Sequence, residues 1–380
     1  METLDYGAIV HTGPGTLAGR YFRRFWHPVM IASDLPAGRA KPLRVMSEDF
    51  AIYRGESGKA QVLAPHCAHR GTLLSTGWVE GDALRCFYHG WKYGADGRCV
   101  EAPAEREGFA ATVCVRSYPT QEYLGLIFAY LGEGEAPAFP RYRDLEGEGV
   151  LDVGGYRRDC NYFNNIENQC DPVHVAFAHR TSAFTEGGLI GVPQVAAEET
   201  GWGLALKATR AGGGVRITQI GMPNLLHIKS SPVAGSGHWS DMFAWRVPID
   251  DLHHNSFNIH MHHLAGEAAA KFREQMKQRS PVIGSVQELS AAIRRGEKHV
   301  EELKDHPDIV GIQDDVAQLG QGPIADRENE HLGRSDVGVV LLRRIWLREL
   351  KALAEGRPLK AWQWKSDLAA TVGVPVPADA

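Results

Sequence analysis

The chain has 380 residues, room for about two or three domains at roughly 150 residues each. Its 41 Lys and Arg against 46 Asp and Glu leave a net charge of −5 without long runs of one sign, so the basic face that binds a phosphate backbone is missing and no nucleic-acid partner is expected. A hydrophobic content of 43% supports sizeable cores, but no run approaches the roughly 18 apolar residues of a membrane span. With no apolar stretch behind Met1, the expectation is a cytoplasmic protein without a membrane partner.

Taken in chain order, residues 1–45 interleave Tyr21, Phe22, Phe25 and Trp26 with Arg20, Arg23 and Arg24, and they read as a packed N-terminal arm. From about 46 to 132, short apolar runs such as Phe50–Tyr53 and Leu124–Tyr130 alternate with turn signals at Gly81-Asp82 and Ala95-Asp96-Gly97, the pattern of a small all-β module. A Gly- and Pro-rich linker over 132–150 leads to a helical segment near 161–180. Strands follow at 204–210, 215–220, 225–230, 238–247 and 256–264, with helices over 265–305 and 335–356. The sum is an α+β fold with an antiparallel sheet in its second half.

Six cysteines, Cys67, Cys86, Cys99, Cys114, Cys160 and Cys170, are too sparse for a disulfide scaffold and read as metal ligands or buried thiols. Two of them sit in Cys67-Ala68-His69 and Cys86-Phe87-Tyr88-His89, separated by the 16 residues 70–85. One Cys and one His from each of two loops is the inventory of a [2Fe-2S] centre with two thiolates on one iron and two imidazoles on the other. A structural zinc site also uses two Cys and two His, but usually pairs like with like in each knuckle. Cys67-Ala68-His69-Arg70-Gly71 and Cys86-Phe87-Tyr88-His89-Gly90-Trp91 resemble the paired loops of the Rieske non-haem iron oxygenases. Rieske ferredoxins share these loops, so they imply electron transfer and leave catalysis to the rest of the chain.

A second constellation is Asn168-Gln169-Cys170-Asp171-Pro172-Val173-His174, with His179 five residues on. Five helical residues turn about 500°, some 140° off a shared face, so a helix should end or distort between His174 and His179. Two His and a distant carboxylate make the facial triad of non-haem iron(II) sites. The segment Gln313-Asp314-Asp315, followed by Asp326-Arg327 and Glu330-His331, resembles the signature of the phthalate dioxygenase-like branch, in which the Asp after Gln is the third ligand. That is Asp314, with Asp315 as the fallback; the alternative is a solvated turn or helix start. Five histidines between His253 and His263 are more simply hydrogen-bonded strand residues. Lys207, Arg210, Arg216, Lys229 and Arg246 could anchor a substrate carboxylate, but without a strand register their facing is undetermined.

The resemblance covers nearly the whole chain and implies the oxygenase (alpha) component of a multicomponent system. Its domains would be an arm (1–45) packing on the catalytic domain, a Rieske [2Fe-2S] domain (46–150) and a catalytic mononuclear-iron domain (151–380). It implies one cluster on Cys67, His69, Cys86 and His89, and one Fe(II) on His174, His179 and Asp314 with Asn168 close by. O2 would be activated to hydroxylate, dihydroxylate or O-demethylate a small aromatic acid or aryl ether. No Gly-rich nucleotide fingerprint is present, so NAD(P)H and flavin would reside on a separate reductase. In the family an Asp at the position of Asp171 joins a mononuclear-site His, here His174, to a cluster His, here His89, of a neighbouring subunit in a homotrimer. A Rieske electron-transfer protein with a non-catalytic second domain is the alternative.

Overall fold

The computed structural model describes residues 5–182, 191–211, 215–230, 240–277 and 285–363. They gather into two units, a larger one of 1–10, 141–246 and 251–380 and a smaller one of 11–140 and 247–250. The short helix α1 (Gly7–Val10) belongs to the larger unit, where the Tyr162 hydroxyl donates to the Ile9 carbonyl at 2.8 Å and the Asn161 amide to that of Val10 at 2.9 Å.

In the smaller unit, α2 (Leu17–Phe22) is capped by Thr16, whose hydroxyl accepts from the Gly19 N–H at 3.1 Å. Eleven strands follow: β1 (Trp26–Ile31), β2 (Arg39–Val45), β3 (Glu48–Arg54), β4 (Ala60–Leu63), β5 (Trp78–Glu80), β6 (Ala83–Arg85), β7 (Lys92–Tyr93), β8 (Cys99–Glu101), β9 (Ser117–Tyr118), β10 (Thr120–Tyr123) and β11 (Leu126–Tyr130). They form three sheets, ordered β1-β11-β10, β2-β3-β4-β9 and β5-β6-β7-β8. In β3 and β11 the runs Phe50–Tyr53 and Leu126–Ala129 are buried without alternation, as strands covered on both faces must be.

The arm expected over 1–45 is divided differently. Trp26–Ile31 pairs with β11 and Arg39–Val45 with β3, so the all-β unit takes in residues well before 46, and only the first ten residues go with the larger unit. Pro28 obscures β1 in the sequence. It is tolerated because β1 is an edge strand whose register slips between Pro28 and Met30.

The larger unit opens with β12 (Val150–Arg158), α3 (Tyr162–Gln169) and α4 (His174–Ala178), then β13 (Gln194–Glu199), β14 (Gly203–Thr209), β15 (Val215–Gly221), β16 (Leu225–Ser230), β17 (Ser240–Pro248) and β18 (His254–His262). The seven strands form one sheet ordered β12-β18-β17-β16-β15-β14-β13, antiparallel wherever register is resolved. Helices α5 (Gly266–Lys277), α6 (Val286–Arg294), α7 (Ile309–Gly320) and α8 (Val337–Ala354) follow. The five expected strands are present; β12, β13 and α7 escaped the sequence reading. Buried ion pairs tie the helices together: Glu167 accepts from Arg327 at 2.7 Å and from Arg343 at 2.5 Å.

Two buried histidines set an acid limit on stability. Burial pushes His27 down to about 4, although its ring bonds the Phe22 carbonyl, and burial beside Arg158 pushes His254 down to about 3. A depressed histidine contributes stability above the unfolded value of 6.5, lost as pH falls toward the folded value, because only the unfolded chain then binds the proton. Each should cost its own unit about 1.4 kcal/mol per pH unit below about pH 6. Urea unfolding at successive pH values checks this, and a flat profile between pH 7 and 5 would contradict it.

Candidate functional site

The two Cys-His loops share one backbone design. In the first, the Cys67 N–H donates to the Thr72 carbonyl at 2.8 Å and the Gly71 N–H to the Cys67 carbonyl at 2.9 Å. In the second, Cys86 donates to Trp91 at 2.8 Å and Gly90 to Cys86 at 3.1 Å. Both closures place a glycine at φ +75°, the left-handed region where a side chain is strained, which is why each motif carries Gly two or one residues past its His. The rings of His69 and His89 come within 4.4 Å of each other, and His69 stacks on Trp91 at 4.6 Å.

The donor set fits a cluster. Cys67 and Cys86 are buried, the Tyr93 hydroxyl lies 3.1 Å from the Cys67 sulfur, and His69 Nδ1 is buried with no hydrogen-bond partner. A buried, unpaired ring nitrogen costs stability unless a ligand takes its lone pair.

In the larger unit α4 ends at Ala178 and His179 caps it, so the helix stops between the two histidines as their spacing requires. The outcome is that ligand atoms of His174, His179 and Asp314 all lie within 4.8 Å of one another. His179 Nε2 is 3.3 Å and His174 Nε2 3.9 Å from Asp314 Oδ1. The Asn168 amide donates to the same oxygen at 3.2 Å. Burial opposes ionisation of Asp314, but the hydrogen bond and charge of His179, with Arg158 and His174 nearby, outweigh it and hold the carboxyl well below the usual range. Burial pushes His174 down, whereas for His179 the Asp314 bond overcomes burial and pushes it up. Two imidazoles and an ionised carboxylate suit a divalent non-haem iron, with room left for further ligands.

Asp315 points elsewhere. Adjacent helical residues diverge by about 100°, and Asp315 is buried against Arg158 at 2.9 Å and the Ser290 hydroxyl. Asp171 also differs in detail from the expected link. Its carboxylate accepts from the Val173 N–H at 2.8 Å, a turn-capping bond, and it is the Asp171 backbone carbonyl that takes His174 Nδ1. Gln313 escaped the sequence reading: its Oε1 accepts from His179 Nδ1 at 2.9 Å while its amide donates to Thr181 at 2.9 Å. Its place directly before Asp314 was the one available signal; that its side chain reaches His179 Nδ1 depends on how α7 packs and is visible only in the fold.

A pocket of about 730 Å³, including its mouth, opens on His174, His179 and Asp314. Leu226, Ile228, Met242 and Val310 give it an apolar side, and Arg210, Arg216 and Arg246 also line it. Of the five basic residues considered from sequence, Lys207 and Lys229 do not line it, and neither does any histidine between His253 and His263. His254 instead bonds Asn165 and the Cys160 carbonyl.

Residues 25–119 match the Rieske [2Fe-2S] domain. The chain is 32% identical, over 94% of its length and 79% of the relative's, to the tert-butanol monooxygenase / tert-amyl alcohol desaturase oxygenase subunit of Aquincola tertiaricarbonis. It is 33% identical, over 90% and 84%, to the phenoxybenzoate dioxygenase subunit alpha of Ectopseudomonas oleovorans. In fold it resembles the oxygenase from the oxygenase–ferredoxin complex of carbazole 1,9a-dioxygenase, with TM-score 0.65 at 21% identity over 93% of this chain and 99% of that one.

Proposed function

Because the chain belongs to the oxygenase subunits of the Rieske non-haem iron oxygenases, we propose that its own residues build both metal centres of such an enzyme. Cys67, His69, Cys86 and His89 hold the [2Fe-2S] cluster, and His174, His179 and Asp314 hold one Fe(II). The observation that carries the reading is the convergence of these last three side chains within 4.8 Å at the wall of a pocket. A protein confined to electron transfer has no use for that arrangement. When bound, the cluster relays single electrons and the iron activates O2.

The chain does the positioning. Gln313 fixes the His179 ring and the Asp171 carbonyl fixes that of His174, each through Nδ1, so both Nε2 atoms face Asp314. Asn168 holds the Asp314 carboxylate from the other helix. The apolar side of the pocket excludes water and packs against an aromatic ring. Relatives divide between an aliphatic alcohol and an aromatic acid in their names; we favour a small aromatic substrate, hydroxylated, dihydroxylated or O-demethylated. Electrons come from a separate flavin- or ferredoxin-type reductase that binds the NAD(P)H. The protein works in the cytoplasm as a homotrimer, and no helix among the described residues is long and apolar enough to cross a membrane.

The test is aerobic turnover of the metal-loaded protein with a surrogate reductase and a panel of aromatic acids and ethers. Formaldehyde release identifies demethylation and a diol identifies ring dihydroxylation. A protein holding only cluster iron, with no turnover, would establish the electron-transfer alternative instead.

We propose further that Asp171 joins the two centres across a subunit boundary. One carboxylate oxygen caps Val173 and its carbonyl holds His174, leaving the second oxygen to accept from His89 of a neighbouring subunit. Asp171→Asn should keep both centres loaded and slow single-turnover reoxidation of the reduced cluster by about tenfold or more, the scale for losing a group that hydrogen-bonds a ligand. An unchanged rate, or a monomeric protein, removes this role.

A further inference from the structure

The larger unit buries several arginines, and all but one of the most buried has an evident partner. Arg158 engages Asp315, Arg246 engages Asn258 at 2.9 Å, and Arg327 and Arg343 share Glu167. Arg210 is equally buried, at 4% exposure, yet none of its three guanidinium nitrogens has a hydrogen-bond partner. Arg216 Nε is likewise buried and unpartnered. The two sit on one hairpin: Ala208 of β14 pairs with Arg216 of β15, two residues from Arg210. Burial, with the like charge of Arg210 adding to it, pushes Arg216 down only to about 10, so it remains a cation at neutral pH; for Arg210 burial alone lowers the value.

Both side chains line the pocket that opens on His174, His179 and Asp314. Two neighbouring cations with no carboxylate among the described residues to meet them form a costly arrangement in an apolar cavity. An anion supplied from outside offsets that cost through charge-assisted, two-pronged hydrogen bonds. Asp314, committed to the metal, and Asp171, capping its own turn, do not fill that role.

We propose that Arg210 and Arg216 form an anion subsite, so that the pocket selects aromatic substrates bearing a carboxylate or sulfonate and discriminates against neutral aromatics, alcohols and ethers. This deepens the oxygenase reading and rests on it. The anionic end docks on the β14–β15 hairpin while the ring lies along Leu226, Ile228 and Met242. A neutral ligand of the same shape would close the pocket over two unpaired charges.

The experiment measures binding to the metal-loaded protein by calorimetry, without turnover. The probes are 3-methoxybenzoate and toluene-4-sulfonate against their neutral counterparts, 3-methoxybenzamide and toluene-4-sulfonamide. At least one acid should bind about tenfold or more tighter than its amide, and which acid does so separates carboxylate from sulfonate recognition. Arg210→Gln should cut that preference at least threefold, chiefly through weaker acid binding, and Arg210→Lys should restore part of it. Since Arg210 has no partner to lose, Arg210→Gln should melt no lower than wild type. Equal binding of acids and amides, no saturable binding of either acid, a preference undiminished by Arg210→Gln, or a lowered melting temperature each overturns the subsite. Iron content measured on the same samples keeps the two readings apart. Loaded mononuclear iron without acid preference defeats the subsite alone, whereas acid preference without mononuclear iron defeats the oxygenase reading.

Discussion

Asp314→Ala should reduce turnover by more than about 100-fold and remove the mononuclear iron while the reduced cluster keeps its electron paramagnetic resonance signal. Loss even of a group that only hydrogen-bonds a metal ligand costs about 10- to 100-fold, and Asp314 supplies the one carboxylate within reach of both His174 and His179 among the described residues. The cluster survives because its four donors lie on the loops after β4 and β6 and share no residue with α7. Iron analysis beside the spectrum checks both halves. An Asp314→Ala protein with full iron and turnover would show that another group is the third ligand.

The neighbouring substitution should do the opposite. Asp315→Ala leaves the Arg158 guanidinium, about 2% exposed, without its carboxylate, and removes the acceptor of the Ser290 hydroxyl. Breaking a buried pair by deleting one partner costs about 3–5 kcal/mol, a large part of the stability of an ordinary domain. Urea unfolding should therefore shift strongly, while iron bound at low temperature stays near the wild-type level. If Asp315→Ala unfolds at the wild-type midpoint but loses iron, the two aspartates have exchanged roles.

Why Asp314 and not Asp315 could be carried over only by resemblance is clear from α7. Nothing in the composition of Gln313-Asp314-Asp315 distinguishes a metal ligand from an ion-pair partner; the distinction is one of helical phase, and phase requires knowing that Ile309–Gly320 is helical. The paired acids alone leave a solvated turn and a helix start equally open. The cluster loops were legible because all four donors fall within 23 residues and the chemistry demands their type and spacing. The break between His174 and His179 was legible too, since helix geometry alone forbids their alignment. Arg210 and Arg216 lay at the other extreme: both were visible as cations, but which face they take depends on the β14–β15 register, which a sequence does not state. The N-terminal strands were hidden for a local reason, because Pro28 and the interleaved arginines mask the alternation that β1 needs.

The residues 247–250, grouped with the smaller unit although they run from the end of β17 into the turn before β18, have a practical consequence for recombination. Their carbonyls at Pro248 and Ile249 accept from the Met46 and Ser47 N–H groups, each at 2.8 Å, where Met46 and Ser47 turn the chain at φ 52° and 60°. The polypeptide thus passes between the units at four points, after residues 10, 140, 246 and 250. A chimera that exchanges the cluster-bearing unit between relatives by cutting only near 10 and 140 would therefore face its new turn with a foreign tetrapeptide. Grafting the tip of the β17–β18 hairpin along with it would keep the two donors matched, so crossover points for shuffled libraries belong on both sides of that tip as well.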